Sequence, residues 1–473
     1  MSREIALDEK WLGRLPVVAG GAAALVLVGW LWLSRPPAMT LRVPGTDRPP
    51  GMEVVPSEKP FLAGKVIPGA GVAADLPGAW PGFRGAALDG IVGPGSPLVA
   101  DWQASPPKPL WSVDLGEGYA GAAVRDGRVY VFDYDQEKKQ DALRCLSLGD
   151  GREIWRFAYP VSVKRNHGMS RTVPTLGGGY VVGMGPKCHV ICLDATRGDL
   201  KWGLDLVSDF GATVPQWYAG QCPLIEGDRV LLAPGGPDAL VMAVSLETGE
   251  VIWKTPNPDE WKMTHASLVP VEFGGVRQYV CCASRGVVGV AADDGRRLWS
   301  TTDWKISIAT VPTPVVVGNG RIFFSGGYNA GCLMLQLKQQ GESIVPEVLW
   351  KLGARTFGAT QQTPILHGDH LYGVRPDGAM VCLGLDGTVV WDSGPDVNLG
   401  LGPYLITGDQ LLAMDDDGLL RLMAASPAGY SLKGESRVLE GRESWAPLCL
   451  VGDRLLARDL TRMVCLQLAT QTP

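Results

Sequence analysis

The chain has 473 residues, enough for one large domain or two to three average ones. Apolar residues make up 46%, with 62 glycines and 36 prolines, which excludes a disordered chain and points to a globular one full of tight turns. A formal charge of −6 excludes nucleic acid as a main partner, because no basic surplus exists to neutralise phosphates.

Residues 1–14 read as a short N-terminal tail. Residues 15–34, "LPVVAGGAAALVLVGWLWLS", carry no charge over about twenty positions and predict a transmembrane helix acting as a signal anchor, with Trp30 and Trp32 near an interface. A cleaved signal peptide is the rival; the run is longer than a usual signal core, and no A-x-A site or lipobox cysteine accompanies it. Arg3, Lys10 and Arg14 on one side balance Arg35, Arg42 and Arg48 on the other, so charge does not orient the helix. A short tail followed by a long folded part favours a single-pass inner (cytoplasmic) membrane protein whose folded part lies on the periplasmic side. Residues 35–78 are rich in Pro and Gly without hydrophobic period, and predict a semi-rigid linker.

Beyond residue 105 the chain repeats itself. "LRCLSLGDGREIW", "HVICLDATRGDLKW", "VMAVSLETGEVIW", "VVGVAADDGRRLW" and "MVCLGLDGTVVW" each join an apolar strand, a Gly-containing turn and a second strand ending in Trp. Trp111, Trp155, Trp202, Trp253, Trp299, Trp350 and Trp391 close these units at intervals of about 41–51 residues. Hairpins with Asp-Gly, Gly-Asp or Asn-Gly turns recur between them, where tight turns need positive φ. Four short strands per unit is one propeller blade. Eight hairpins start near residues 123, 173, 222, 268, 312, 363, 403 and 447, and residues 108–115 are expected to supply the missing outer strand of the last blade. The fold class is therefore all-β, an eight-bladed β-propeller of four-stranded antiparallel blades over residues 79–470, preceded by one transmembrane helix.

"CLDATRGDLKW" resembles the tryptophan-docking motif of the PQQ-like (quinoprotein-type) β-propeller superfamily, and the resemblance covers residues 105–470. That superfamily holds quinoprotein dehydrogenases, which bind PQQ and Ca²⁺ in the funnel. It also holds cofactor-free scaffolds such as the propeller lipoprotein of the outer-membrane β-barrel assembly machinery. "WPGFRG" (80–85) resembles an opening found in bacterial PQQ-like repeat proteins. The motif identifies the fold and leaves the activity open.

The funnel mouth is expected to be lined by the loops that lead from each Trp strand into the next innermost strand. His167, Arg171, Gln216, Trp217, Tyr218, His265, Arg355, Gln361 and Gln362 fall closest to the axis on this reading. The loop acids Asp209, Asp259, Glu260, Asp303, Asp396 and Glu443 fall nearer the Trp strands, a poor arrangement for Ca²⁺. His167 and His265 also read as histidines that tie neighbouring blades together, and Asp415 to Asp417 as a solvated turn. No metal or catalytic residue is expected, and no PQQ. Cys145, Cys192, Cys382 and Cys465 read as small core residues at equivalent third-strand positions. Adjacent Cys281 and Cys282 lie on a strand, so their thiols are expected to face different neighbouring blades rather than to pair. The favoured reading is a membrane-anchored, extracytoplasmic scaffold with protein partners. The alternatives are a PQQ/Ca²⁺-dependent oxidoreductase and a sensor of an anionic ligand at Arg171, Arg355 and His265.

Overall fold

The computed structural model describes residues 15–33, 59–93, 98, 101–102 and 104–468. The tail expected at 1–14, the last residue of the expected helix (Ser34) and the linker stretch 35–58 lie outside the described residues. Leu15–Leu33 is one 19-residue α-helix, apolar all round, and at 1.5 Å per residue about 29 Å long. That matches a bilayer core of about 30 Å, so the helix is long and apolar enough to cross a membrane.

Residues 59–468 carry eight radially arranged antiparallel sheets. The third blade shows the unit: Leu224–Glu226 innermost, then Arg229–Leu232, Met242–Ser245 and Val251–Lys254 outermost. Its first turn is Gly227-Asp228, with Gly227 at φ 61°, which an L side chain adopts only with strain. Each blade's two faces pack on its neighbours, so the inner strands are apolar on both sides. The expected closure holds: Lys108–Asp114 pairs with Arg462–Gln467 and puts Trp111 opposite Cys465. Arg458 pins the same seam, donating to Gly116 O, Ala120 O and Phe132 O.

The Trp motif works as a bracket between blades. Trp202 Nε1 donates to Leu246 O of the next blade at 2.8 Å, and its ring lies against Gly249 (φ 75°). A Cβ at Gly249 would come within 2.7 Å of that ring, which is why glycine follows Thr in the turn. Trp111, Trp155, Trp253, Trp350 and Trp391 make the same bond to the following blade. Trp299 departs from this pattern: its Nε1 donates to Gln278 Oε1 of its own blade at 2.6 Å. The reason lies in the fifth blade, whose outer hairpin is lengthened to Gly331–Gln340 and Ser343–Leu352, so no short turn offers a carbonyl there. Trp299 still packs on the fifth blade's apolar face.

Cys145, Cys192, Cys382 and Cys465 stand opposite Trp155, Trp202, Trp391 and Trp111, each followed by a β-bulge. Cys281 packs with the third blade and Cys282 with the fifth, so the two neighbours occupy different cores.

The linker reading fails over residues 59–78. Pro60–Ala63 forms a 3-10 turn with Phe61 fully buried, and Lys65–Pro68 pairs antiparallel with Glu153–Pro160. Lys59 also forms an ion pair with Asp209. An exposed outer edge of the first blade is thereby covered, which hides unpaired backbone groups. Pro-rich composition had masked the short "KVIP" strand.

Candidate functional site

Residues 79–92 do not lie ahead of the propeller but run through its centre. Ala79–Trp80 pairs antiparallel with the first blade's innermost strand. Ile91–Val92 then pairs parallel with the innermost strand of the seventh. The two directions make a U inserted from the face opposite the funnel loops. Between its arms Pro81 O accepts from Leu176 N of the second blade at 2.7 Å. Arg84 fixes the tip: Nη1 donates to Thr363 O, Nη2 to Pro364 O and Asp89 O, and Nε to Leu88 O, at 2.6–3.1 Å. All four acceptors are carbonyls, and burial lowers the Arg84 pKa to about 10. Arg84 and Leu88 both sit at positive φ, 65° and 59°, a strain that the surrounding bonds hold in place.

Above this plug lies a cavity of about 340 Å³. Trp80, Phe83 and Arg84 line it from the plug, which makes the funnel blind-ended. Six residues expected at the mouth line it: His167, Arg171, Trp217, His265, Gln361 and Gln362. Three do not. Gln216 and Arg355 point to solvent. Tyr218 is buried, with its hydroxyl bonded to Lys164 O and its ring under Lys187.

Aromatic rings complete the walls. Trp217 and Tyr328 come from opposite sides of two intervening blades yet lie parallel within 4°, centroids 6.5 Å apart. Tyr119 packs 5.0 Å from Trp445 and donates its hydroxyl to Glu443. Trp445 is held by Asp416, which accepts from Trp445 Nε1 at 2.7 Å and from Leu401 N at 2.8 Å. Asp416, read as part of a solvated turn, thus orients a funnel wall. Tyr119, Tyr328, Tyr404 and Trp445 were missed from sequence, although an aromatic in a funnel loop was the available signal.

The electrostatics of the cavity centre on Arg171. Its guanidinium stacks 4.9 Å above the Tyr119 ring, and its Nε is buried without a hydrogen-bond partner. Burial lowers its pKa. His265, 6.3 Å from Trp217, has a buried Nε2 with no partner. Burial first, then the Arg171 charge, lowers His265 to about 4, so its imidazole is neutral at neutral pH.

A Ca²⁺-held quinone needs six to eight oxygen ligands, with carboxylates among them. The cavity lining contains no Asp or Glu, and among the described residues no three His, Cys, Asp or Glu side chains gather to hold a metal. The residues do not fit that group.

Residues 138–393 match the family described as outer membrane protein assembly factor BamB. No curated protein matches the chain. Among solved structures, BamB from Moraxella catarrhalis aligns at TM-score 0.52 and 14% identity, covering 76% of this chain and 99% of that one. The computationally designed protein Ika8 aligns at TM-score 0.52 and 12% identity, again over 76% and 99%. At these identities the two structures show the β-propeller fold and nothing finer.

Proposed function

Because the chain belongs to the family described as outer membrane protein assembly factor BamB, we propose that it is a protein-interaction scaffold, anchored by its N-terminal helix in the inner membrane of a bacterium with the propeller on the periplasmic side. The observation that carries this reading is the funnel rim. Tyr328, stacked beside Trp217, is 42% exposed, and Ile308, on the loop between the fourth and fifth blades of the same face, is 51% exposed. Exposed aromatic and apolar groups fixed on a rigid disc are the residue types that anchor protein interfaces. The carboxylate-free lining supports a protein that works without PQQ or Ca²⁺.

Photo-cross-linking residues placed at Tyr328 and at Val251, on the outer edge of the third blade, test the reading in the full chain in cells. A discrete protein adduct is expected from position 328 and not from 251, and Trp217→Ala should abolish it. Equal adducts from both positions would refute a funnel-face partner. Stoichiometric PQQ uptake with dye reduction in the presence of Ca²⁺ would replace the scaffold reading with an oxidoreductase. A periplasm-only reporter fused to the C-terminus tests the orientation.

A further inference from the structure

We propose that the funnel cavity is a binding site for a single carboxylate carried on an aromatic or other flat apolar body, with Arg171 receiving the charge and the Trp217 and Tyr328 rings receiving the body. This goes beyond the scaffold reading and stands whether or not a protein docks on the rim.

Three features of the cavity converge. The first is an unused donor set. Arg171 makes one long bond, 3.4 Å from Nη2 to Asn166 O, while its Nε has no partner. Arg171 lines the cavity, and its Nη1, which makes no hydrogen bond and is not sealed from solvent as Nε is, is the donor that a ligand atom can reach. The second is shape and surface: about 340 Å³, blind at the plug, open at the funnel mouth and walled by rings from separate blades. That volume is in the range of pockets for small ligands. The third is charge. Arg84 is consumed by four carbonyls, so Arg171 is the lining's available cation. One half-buried cation matches one negative charge. A phosphate dianion would bring an unmatched charge into a poorly solvated, ring-walled site. A cationic ligand would face Arg171 with no lining carboxylate to receive it.

The same group has two sources, a free aromatic acid or the C-terminal carboxylate of a peptide ending in an aromatic residue. Calorimetric titration of the full chain in detergent, with indole-3-propionate and with N-acetyl-alanyl-phenylalanine, separates them; each acid is paired with its primary amide. Ligands of this size are expected to bind at about 1 mM or tighter. Each bound acid should exceed its amide by roughly 10- to 100-fold, the range for a charge-assisted bond. Arg171→Gln should reduce the acids to the level of the amides, and Arg171→Lys should restore part of the difference. Trp217→Ala should weaken acid and amide alike, and melting curves report whether the variants fold. Tighter binding of the peptide assigns the site to a protein terminus, and equal binding assigns it to the free acid. Acid and amide binding equally, no saturable binding of either acid, or full acid preference retained in Arg171→Gln would each overturn the proposal.

Discussion

Replacing Arg84 by Met keeps most of the side-chain stem and removes the guanidinium that holds the plug tip. Four carbonyls, of Leu88, Asp89, Thr363 and Pro364, then lose their donors. A buried carbonyl left unpaired costs about 1–3 kcal/mol, and the adjoining cavity lets water reach some of them, so the lower bound applies to each. The net loss is about 3–4 kcal/mol, confined to residues 81–90, because the pairing of Trp80 with Val124 and of Ile91 with Ile406 does not involve Arg84. At about 1.4 kcal/mol per decade, local opening should become roughly 100- to 1,000-fold more frequent. Hydrogen exchange read by mass spectrometry on peptides spanning 79–92 should show that acceleration at Leu88 and Gly90, whose amides bond to Gly85 O and Arg84 O. Blade amides such as those of Val190 to Leu193 should exchange as before. Protection of 79–92 within about threefold of the unsubstituted chain would refute the anchoring role of Arg84. So would a parallel loss across all blades, which would make the residue a global support instead.

Two further outcomes follow from buried groups. Asp141 is fully buried, and burial raises its pKa from 3.8 to about 7 despite the hydrogen bond from Tyr159 Oη. A raised folded pKa gives stability that is present below the unfolded pKa and lost as pH rises through 7. The chain should therefore lose about 3 kcal/mol between about pH 5 and pH 8.5 that Asp141→Asn does not lose, measured by urea unfolding; parallel pH profiles would rule this out. Burial also pushes the Cys281 thiol up to about 12 and raises the Cys282 thiol well above its ordinary value. Maleimide should leave both unlabelled in the folded chain and label all ten cysteines after unfolding without reductant. A labelled mass short by two adducts would show instead that two thiols pair.

The blades were legible because each is local: strand, turn and Trp strand fall within about fourteen residues, and "GDLKW" carries its own reason in the glycine under the preceding tryptophan. Trp299 shows the limit of that reading, since its partner depends on the length of the next hairpin rather than on its own motif. The funnel was half legible. Loops after Trp strands could be placed at its mouth, which found Arg171, Trp217 and His265, but side-chain direction within a loop follows backbone details that no period encodes. Gln216 and Tyr218 flank Trp217 and point elsewhere for that reason. The plug was illegible in principle. In sequence its residues read as part of the propeller with no strand or contact of their own, and its stability comes from Thr363 and Pro364, 279 and 280 residues from Arg84. Yet that segment decides what the funnel is. Without it the lining of eight inner strands would enclose an open channel; with it, three of its side chains become a floor, and the Arg171 guanidinium lines a blind-ended, ring-walled cup where a weakly solvated charge is held more strongly than in water.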